Sequence, residues 1–284
     1  MKLKWHERVD SFLDLAQADL EQNEALNNLM LGICFRAQAD PHYYPSIKLA
    51  TISDSAGLIL AAAMTPPHNL ILHAGGKQVE KAWRLLANSL QADDLHIPGV
   101  IGPKQIVETF CRVWQQQTLC GKELISALRV YVLKIVNHRL AGPGLFRAAR
   151  ERDLDFLVAA WIQFHIECDL RGDLEPRKVT KRIGRLIQKN DLFVWEDQGQ
   201  VVSLAAKSRS MRKGAVIGYV YTPKEVRGRG YATGCVTALS QHLLDSGYEY
   251  CALFTDLANP ISNSIYQKIG YVPGGDYDSY RFSY

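Results

Sequence analysis

The stretch Val226-Arg227-Gly228-Arg229-Gly230-Tyr231-Ala232-Thr233 decides how this chain of 284 residues is read. An apolar, strand-like segment, Ala215 to Tyr221, precedes it, and a helix-like one, Tyr231 to Leu244, follows. Glycines at 228 and 230 let the backbone turn sharply and leave its amides uncovered by side chains. A helix opening at Tyr231 aims its first amides, and the positive end of its dipole, back at the bend. Such a bend is an anion site suited above all to phosphate. Arg227 and Arg229 add positive charge in planar forks that match phosphate oxygens. The sequence therefore predicts a phosphorylated ligand held here. A third glycine for a dinucleotide fingerprint is missing, and so is the Gly-Lys-Ser/Thr ending of a nucleotide triphosphatase loop.

The rest of the chain sets the frame for that site. Its length predicts two domains of ordinary size. Hydrophobic residues at 47% and charged residues at 22% are the proportions of folded domains, not of a disordered chain. A net charge of +4 suits local anion handling and argues against a partner made of nucleic acid. In the most basic segment, Arg177 to Lys189, Val179, Ile183, Leu186 and Ile187 share one helical face. The cations fall on the opposite face, as on a solvated amphipathic helix. The cysteines at 34, 111, 120, 168, 235 and 251 form no CxxC pair and the histidines are scattered, so no metal is expected. The first residues read as the entry to an amphipathic helix rather than a secretion signal. With no apolar run of membrane-spanning length, the expectation is a reduced, cytoplasmic protein without a membrane partner.

Gly142-Pro143-Gly144 punctuates the pattern and predicts a division into residues 1–140 and 141–284. The second part reads as a strand at Leu145 to Ala149, a helix at Arg152 to Cys168 and the basic helix. Strands follow at Leu192 to Glu196, Val201 to Lys207 and Ala215 to Tyr221, then the glycine bend and its helix. A strand at Tyr250 to Thr255 leads to a helix opened by Asn259-Pro260 and closed by Gly270. The aromatic tail, Tyr271 to Tyr284, closes the chain as a strand or hairpin. The first part repeats this order: a helix over Glu7 to Cys34, then strands at Ser46 to Ile52, Leu58 to Met64 and Asn69 to His73. After Gly75-Gly76 come a helix at Lys77 to Leu90, a strand before Pro98, a helix at Lys104 to Leu119 and a strand at Leu124 to Val136. Its Ala74-Gly75-Gly76-Lys77 lacks the arginines of the later bend and reads as a tight turn.

Arg227-x-x-Gly230-x-Ala232, between a strand and a helix, resembles the pyrophosphate loop of the GNAT superfamily of N-acyltransferases, whose pattern is Gln/Arg-x-x-Gly-x-Gly/Ala. Asn259-Pro260-Ile261-Ser262-Asn263-Ser264-Ile265-Tyr266, ahead of Gly270-Tyr271, resembles the second block of that superfamily. The resemblance covers roughly residues 145–284 and, by element order alone, extends to a degenerate first copy. It implies an α/β (α+β) fold of two GNAT-like domains, each a mixed twisted sheet flanked by helices. It also implies an N-acetyltransferase with acetyl-CoA as co-substrate and a primary amine of a small molecule or peptide as acceptor, in a monomer or homodimer.

By that resemblance, Arg227, Gly228, Arg229, Gly230, Tyr231, Ala232 and Thr233 hold the pyrophosphate. Val220, Tyr221 and Thr222 lie along the pantetheine arm, with a strand amide near Val220 or Tyr221 as oxyanion donor. Asn259 and Asn263 are further cofactor contacts, and Tyr266 matches the tyrosine that protonates the departing thiolate. No carboxylate stands on the strand before the bend, which leaves Glu196, Asp256 or a water relay as base and Glu225 unattractive. Asp276 and Asp278 read as turn residues or as attractors of a cationic amine, and His165 as a core residue. The missing carboxylate keeps open a catalytically silent acyl-CoA sensor or scaffold, and longer acyl chains are a further option. The acceptor walls, expected around Leu170 to Pro176 and Ser208 to Lys213, carry no chemical signature.

Overall fold

Short apolar runs closed by glycine, proline or polar turns become strands here, and each unit of the chain packs helices onto them. The computed structural model describes residues 1–76, 80–137, 143–169 and 174–284. Part of the expected linker, the start of the helix at Lys77 and part of the wall from Leu170 lie outside those residues. The chain forms two compact units. One comprises Met1–Val130, Thr255–Ala258 and Gly274–Tyr284, the other Tyr131–Phe254 and Asn259–Pro273.

The first unit holds β1 (Lys2–His6), α1 (Val9–Glu21), α2 (Asn28–Ala39), β2 (Lys48–Asp54), β3 (Gly57–Met64) and β4 (Leu70–Ala74). It continues with α3 (Glu80–Ala92), β5 (Gly99–Pro103), α4 (Lys104–Thr118) and most of β6 (Gly121–Leu133), and it includes most of the closing strand β12 (Val272–Ser283). Strands β1 to β4 are antiparallel neighbours, β4 and β5 run parallel, and β12 lies antiparallel on β5 from Tyr277↔Pro103 to Arg281↔Gly99. Trp83 and Leu86 of α3 and Phe110 and Trp114 of α4 pack on Leu60, Leu72 and Val100.

Three expectations for the first unit are corrected. The opening residues form a strand: Lys2–His6 alternate in burial and pair with β2, so a period of two wins over the helical one. The helix expected over Glu7 to Cys34 is two helices. Asn27 Nδ2 donates to Leu20 O (2.9 Å) and Asn23 Oδ1 accepts from the Leu26 amide (3.3 Å), which satisfies groups at the break. The strand expected before Pro98 follows it, and a Cβ on Gly99 would collide with Tyr280 O of the neighbouring strand. Of the two forms open to the tail, it takes the single continuous strand. At Gly75-Gly76, the Gly75 amide donates across to Ile59 O of β3 (3.1 Å) and Gly76 has φ +48°, while the far side of the expected turn lies outside the described residues.

The second unit holds β7 (Leu145–Ala148), α5 (Leu154–Glu167), α6 (Pro176–Gln188), β8 (Leu192–Asp197), β9 (Gln200–Ser210) and β10 (Gly214–Tyr221). It continues with α7 (Tyr231–Asp245), most of β11 (Tyr250–Asp256) and α8 (Pro260–Ile269). The strand order is β11-β10-β9-β8-β7, with β10 and β11 parallel and the other neighbours antiparallel. Alternation along β8 sorts the two faces. Phe193 and Trp195 join Cys235 and Leu239 of α7 and Ile269 of α8. Leu192 and Val194 join Leu157 and Trp161 of α5 and Val179 and Ile183 of α6. Each unit is thus a mixed sheet flanked by helices, as the resemblance implied. Among the described residues no helix is long and apolar enough to cross a membrane.

Candidate functional site

The site begins where two parallel strands part. Pairing between β10 and β11 runs from Gly214↔Tyr250 to Ile217↔Leu253, whereas β10 itself extends to Tyr221. Its register with β9 also slips between Gly218 and Tyr221, a bulge that turns the end of the strand. At the bulge Tyr219 takes φ +54°, a left-handed conformation that costs a bulky residue about 1–3 kcal/mol. Its ring is stacked on Trp161 of α5 at 3.9 Å, and the Arg182 guanidinium lies over both rings at 5.2 and 6.0 Å. Stacking and cation–π contact of this kind offset the strain. Beyond Ile217 no strand pairing joins β10 to β11 among the described residues.

The end of the strand is pinned from β9. Ser203 donates to Tyr221 O (3.0 Å), so Thr222, 2.9 Å away, is the hydroxyl that donates to Ser203. A single helical turn at Lys224–Val226 then leads into the bend. Gly228 and Gly230 have φ +79° and +82°, and a Cβ on either would meet nothing within 4 Å. Backbone conformation, not crowding, therefore demands glycine at both. The first rung of α7 is the Gly234 amide to Gly230 O (2.9 Å). The amides of Tyr231, Ala232 and Thr233 precede it and have no acceptor within the helix. Tyr231 turns its side chain inward and donates to Asp197 Oδ2 (2.5 Å), leaving its backbone to face the bend.

The two arginines part company. Arg229 is exposed in the bend. Arg227 donates through Nε to Thr222 O (2.8 Å) and through Nη2 to Glu167 Oε2 (2.7 Å), with its guanidinium 5.6 Å above the Tyr221 ring. The fork of Arg227 is thus engaged within the protein, whereas Arg229 neighbours the Tyr231 hydroxyl.

In α8, Asn259 caps the helix by accepting from the Ser262 amide (3.0 Å), and Asn263 Nδ2 donates to Asn259 O (2.7 Å). Both side chains shape the first turn. Tyr266 is buried among Tyr131 and Tyr271, at ring distances of 6.4 and 6.0 Å. Burial, with the Cys168 thiol nearby, pushes its phenol up to about 12. That group keeps its proton across the neutral range.

The carboxylates considered as bases are engaged elsewhere. Glu196 accepts from Arg147 Nε (2.7 Å), and the same guanidinium holds buried Asp153 at 2.7 and 2.8 Å. Asp256 accepts from the Ala258 amide (2.7 Å), and Glu225 is exposed in the turn. Asp276 pairs with Arg129 (2.7 and 3.1 Å), while burial raises the carboxyl of Asp278. Both lie in a strand, not in the turn expected for them. His165 is a core residue, its Nδ1 2.8 Å from Trp161 O. The residues missed from sequence are Glu167, Trp161 and Ser203, whose partners lie many positions away in the chain. Hollows of about 420 Å³ against α3 and α4 and about 380 Å³ beside Phe146 and Trp195 include no motif residue.

Residues 197–276 match the family described as FR47-like protein. No curated protein matches the chain. Among solved structures, a GNAT-family acetyltransferase from Colwellia psychrerythraea is 15% identical, with 99% of each chain covered and a TM-score of 0.63. A GCN5-related N-acetyltransferase from Sphaerobacter thermophilus is 12% identical over 98% of this chain and 95% of its own, at 0.65. A tandem GNAT protein from the clavulanic acid biosynthesis pathway is 12% identical over 99% and 98%, at 0.57. The parted strands, the glycine bend and these likenesses lead to one conclusion: the chain has the fold of the GNAT acetyltransferases in tandem arrangement, with an FR47-like segment in its second half.

Proposed function

We propose that the chain is an acetyl-CoA-dependent N-acetyltransferase whose transferase domain is residues 141–284, following a degenerate GNAT-like domain at 1–140. The observation that carries the proposal is the junction of a parted strand edge with a left-handed Gly228/Gly230 bend opening onto the amides of Tyr231, Ala232 and Thr233. Gly228, Arg229 and those amides hold the diphosphate, and the edge from Val220 to Thr222 lies along the pantetheine arm. In the reaction the amine nitrogen bonds to the thioester carbonyl carbon, a strand amide stabilises the oxyanion, and the carbon–sulfur bond breaks. The amine loses a proton to water, and the thiolate takes one from Tyr266. Asn259 and Asn263 support the cofactor side by shaping α8.

Calorimetry with acetyl-CoA tests the binding half, and saturable binding that weakens when Arg229 or Gly230 is replaced is the expected result. Tyr266→Phe is expected to retain cofactor affinity and lose most turnover. Unchanged turnover would assign Tyr266 to packing alone. A silent acyl-CoA sensor is a second reading, favoured by the engagement of Glu196 with Arg147 and the absence of a carboxylate from Gly214–Tyr221. Release of free thiol with any member of a panel of amines, polyamines and peptides removes it. That panel also identifies the acceptor.

A further inference from the structure

The carboxylate of Glu167, the last residue of α5, gathers three parts of the second unit. Its Oε1 accepts from the Tyr221 hydroxyl (2.9 Å), and its Oε2 accepts from Arg227 Nη2 (2.7 Å). Lys224 Nζ adds charge at 3.9 Å. Burial works against the charged form, yet the hydrogen bonds from Arg227 and Tyr221 and the nearby cations hold the carboxyl below its ordinary value. It therefore stays ionised and makes a weak base. With one donor on each oxygen, it is occupied as a structural acceptor.

Arg227 spans the junction. While one nitrogen meets Glu167, Nε donates to Thr222 O, so one guanidinium ties the end of β10 to the end of α5. Backbone bonds in the intervening turn are longer, from the Val226 amide to Pro223 O (3.1 Å) and from the Arg227 amide to Lys224 O (3.3 Å). Immediately downstream come Gly228 and Gly230, the residues with the most conformational freedom to lose. A side-chain anchor one residue ahead of the first glycine limits that freedom before any ligand arrives, and such preorganisation raises affinity.

We infer that Glu167 is a positioning residue for the diphosphate bend, acting through Arg227 rather than by touching the ligand. The inference rests on the proposed cofactor site and adds to it a residue outside both sequence motifs. It also assigns the signature arginine to holding the loop rather than to neutralising phosphate.

The test is a double-mutant cycle on coenzyme A affinity, with calorimetry on the full chain, Glu167→Gln, Arg227→Gln and the double variant. Each single change is expected to weaken binding about tenfold, and the double no further than the weaker single, because both break one connection. Glu167→Asp, which keeps the charge but withdraws it by a methylene, is expected to fall between the native chain and Glu167→Gln. Native-like affinity in Glu167→Gln overturns the inference, as do losses that multiply in the double variant. Loss of cooperative unfolding in both Glu167 variants also overturns it, by making the residue a general structural one. Absence of binding by the native chain removes the cofactor site itself, an outcome distinct from the others.

Discussion

At Gly230 the backbone has φ +82° with open space where a Cβ would stand, so a substitution is opposed by conformation alone. Gly230→Val is expected to cost about 1–2 kcal/mol of stability in urea unfolding. Coenzyme A affinity is expected to fall by a larger factor, because the amides that follow would be re-aimed. Glu167 gives the pH dependence. Its carboxyl is held below the ordinary 4.5, so its contribution is fully present above that value and is lost as pH falls through the lowered one. The gap in coenzyme A affinity between the native chain and Glu167→Gln is therefore expected to be full and constant from pH 8 to about 5 and to close in stronger acid. The left-handed glycines of the bend were legible in the sequence because their turn is local. The contact of Arg227 with Glu167 was not legible, because the two lie 60 positions apart, beyond the reach of any spacing argument.

Among the elements, strands and helices with a clean period were legible: β8 through its two-faced alternation, α6 through its apolar stripe, α8 through Asn259-Pro260 and Gly270. What escaped were interruptions decided by tertiary contacts. The break between α1 and α2 depends on Asn27 reaching back to Leu20 O, and the bulge at Tyr219 on a stacking partner in α5. Trp161→Leu removes that partner from a strained residue. It is expected to weaken coenzyme A binding severalfold by letting the end of β10 relax, measurable by the same calorimetry. A second device at this scale is Arg147, 11% exposed, between Asp153, 4% exposed, and Glu196. Removing one member of a buried pair strands its partner at a cost of about 3–5 kcal/mol. Asp153→Ala is expected to lower the unfolding free energy by that order, and a loss below about 1 kcal/mol would show that Glu196 alone suffices for Arg147.

Over the whole molecule, two compact units repeat one order of elements, which the sequence conveyed through its rhythm of strand, glycine turn and helix. It did not convey where the closing strand belongs. Tyr280 and Phe282 of β12 are packed in the first unit beside Trp114 and Cys120, and β12 pairs with β5. No local pattern encodes a partner so far back in the chain. Deleting Gly274–Tyr284 is expected to raise amide exchange in β5 strongly, and unchanged protection there would contradict the pairing. The likenesses to solved structures fix the fold, while the proposed activity rests on a single bend. The most direct test is a titration of coenzyme A into the native chain beside Gly230→Val. One saturable site per chain, markedly weakened by the substitution, is the predicted result. No binding, or binding that Gly230→Val leaves unchanged, would contradict it.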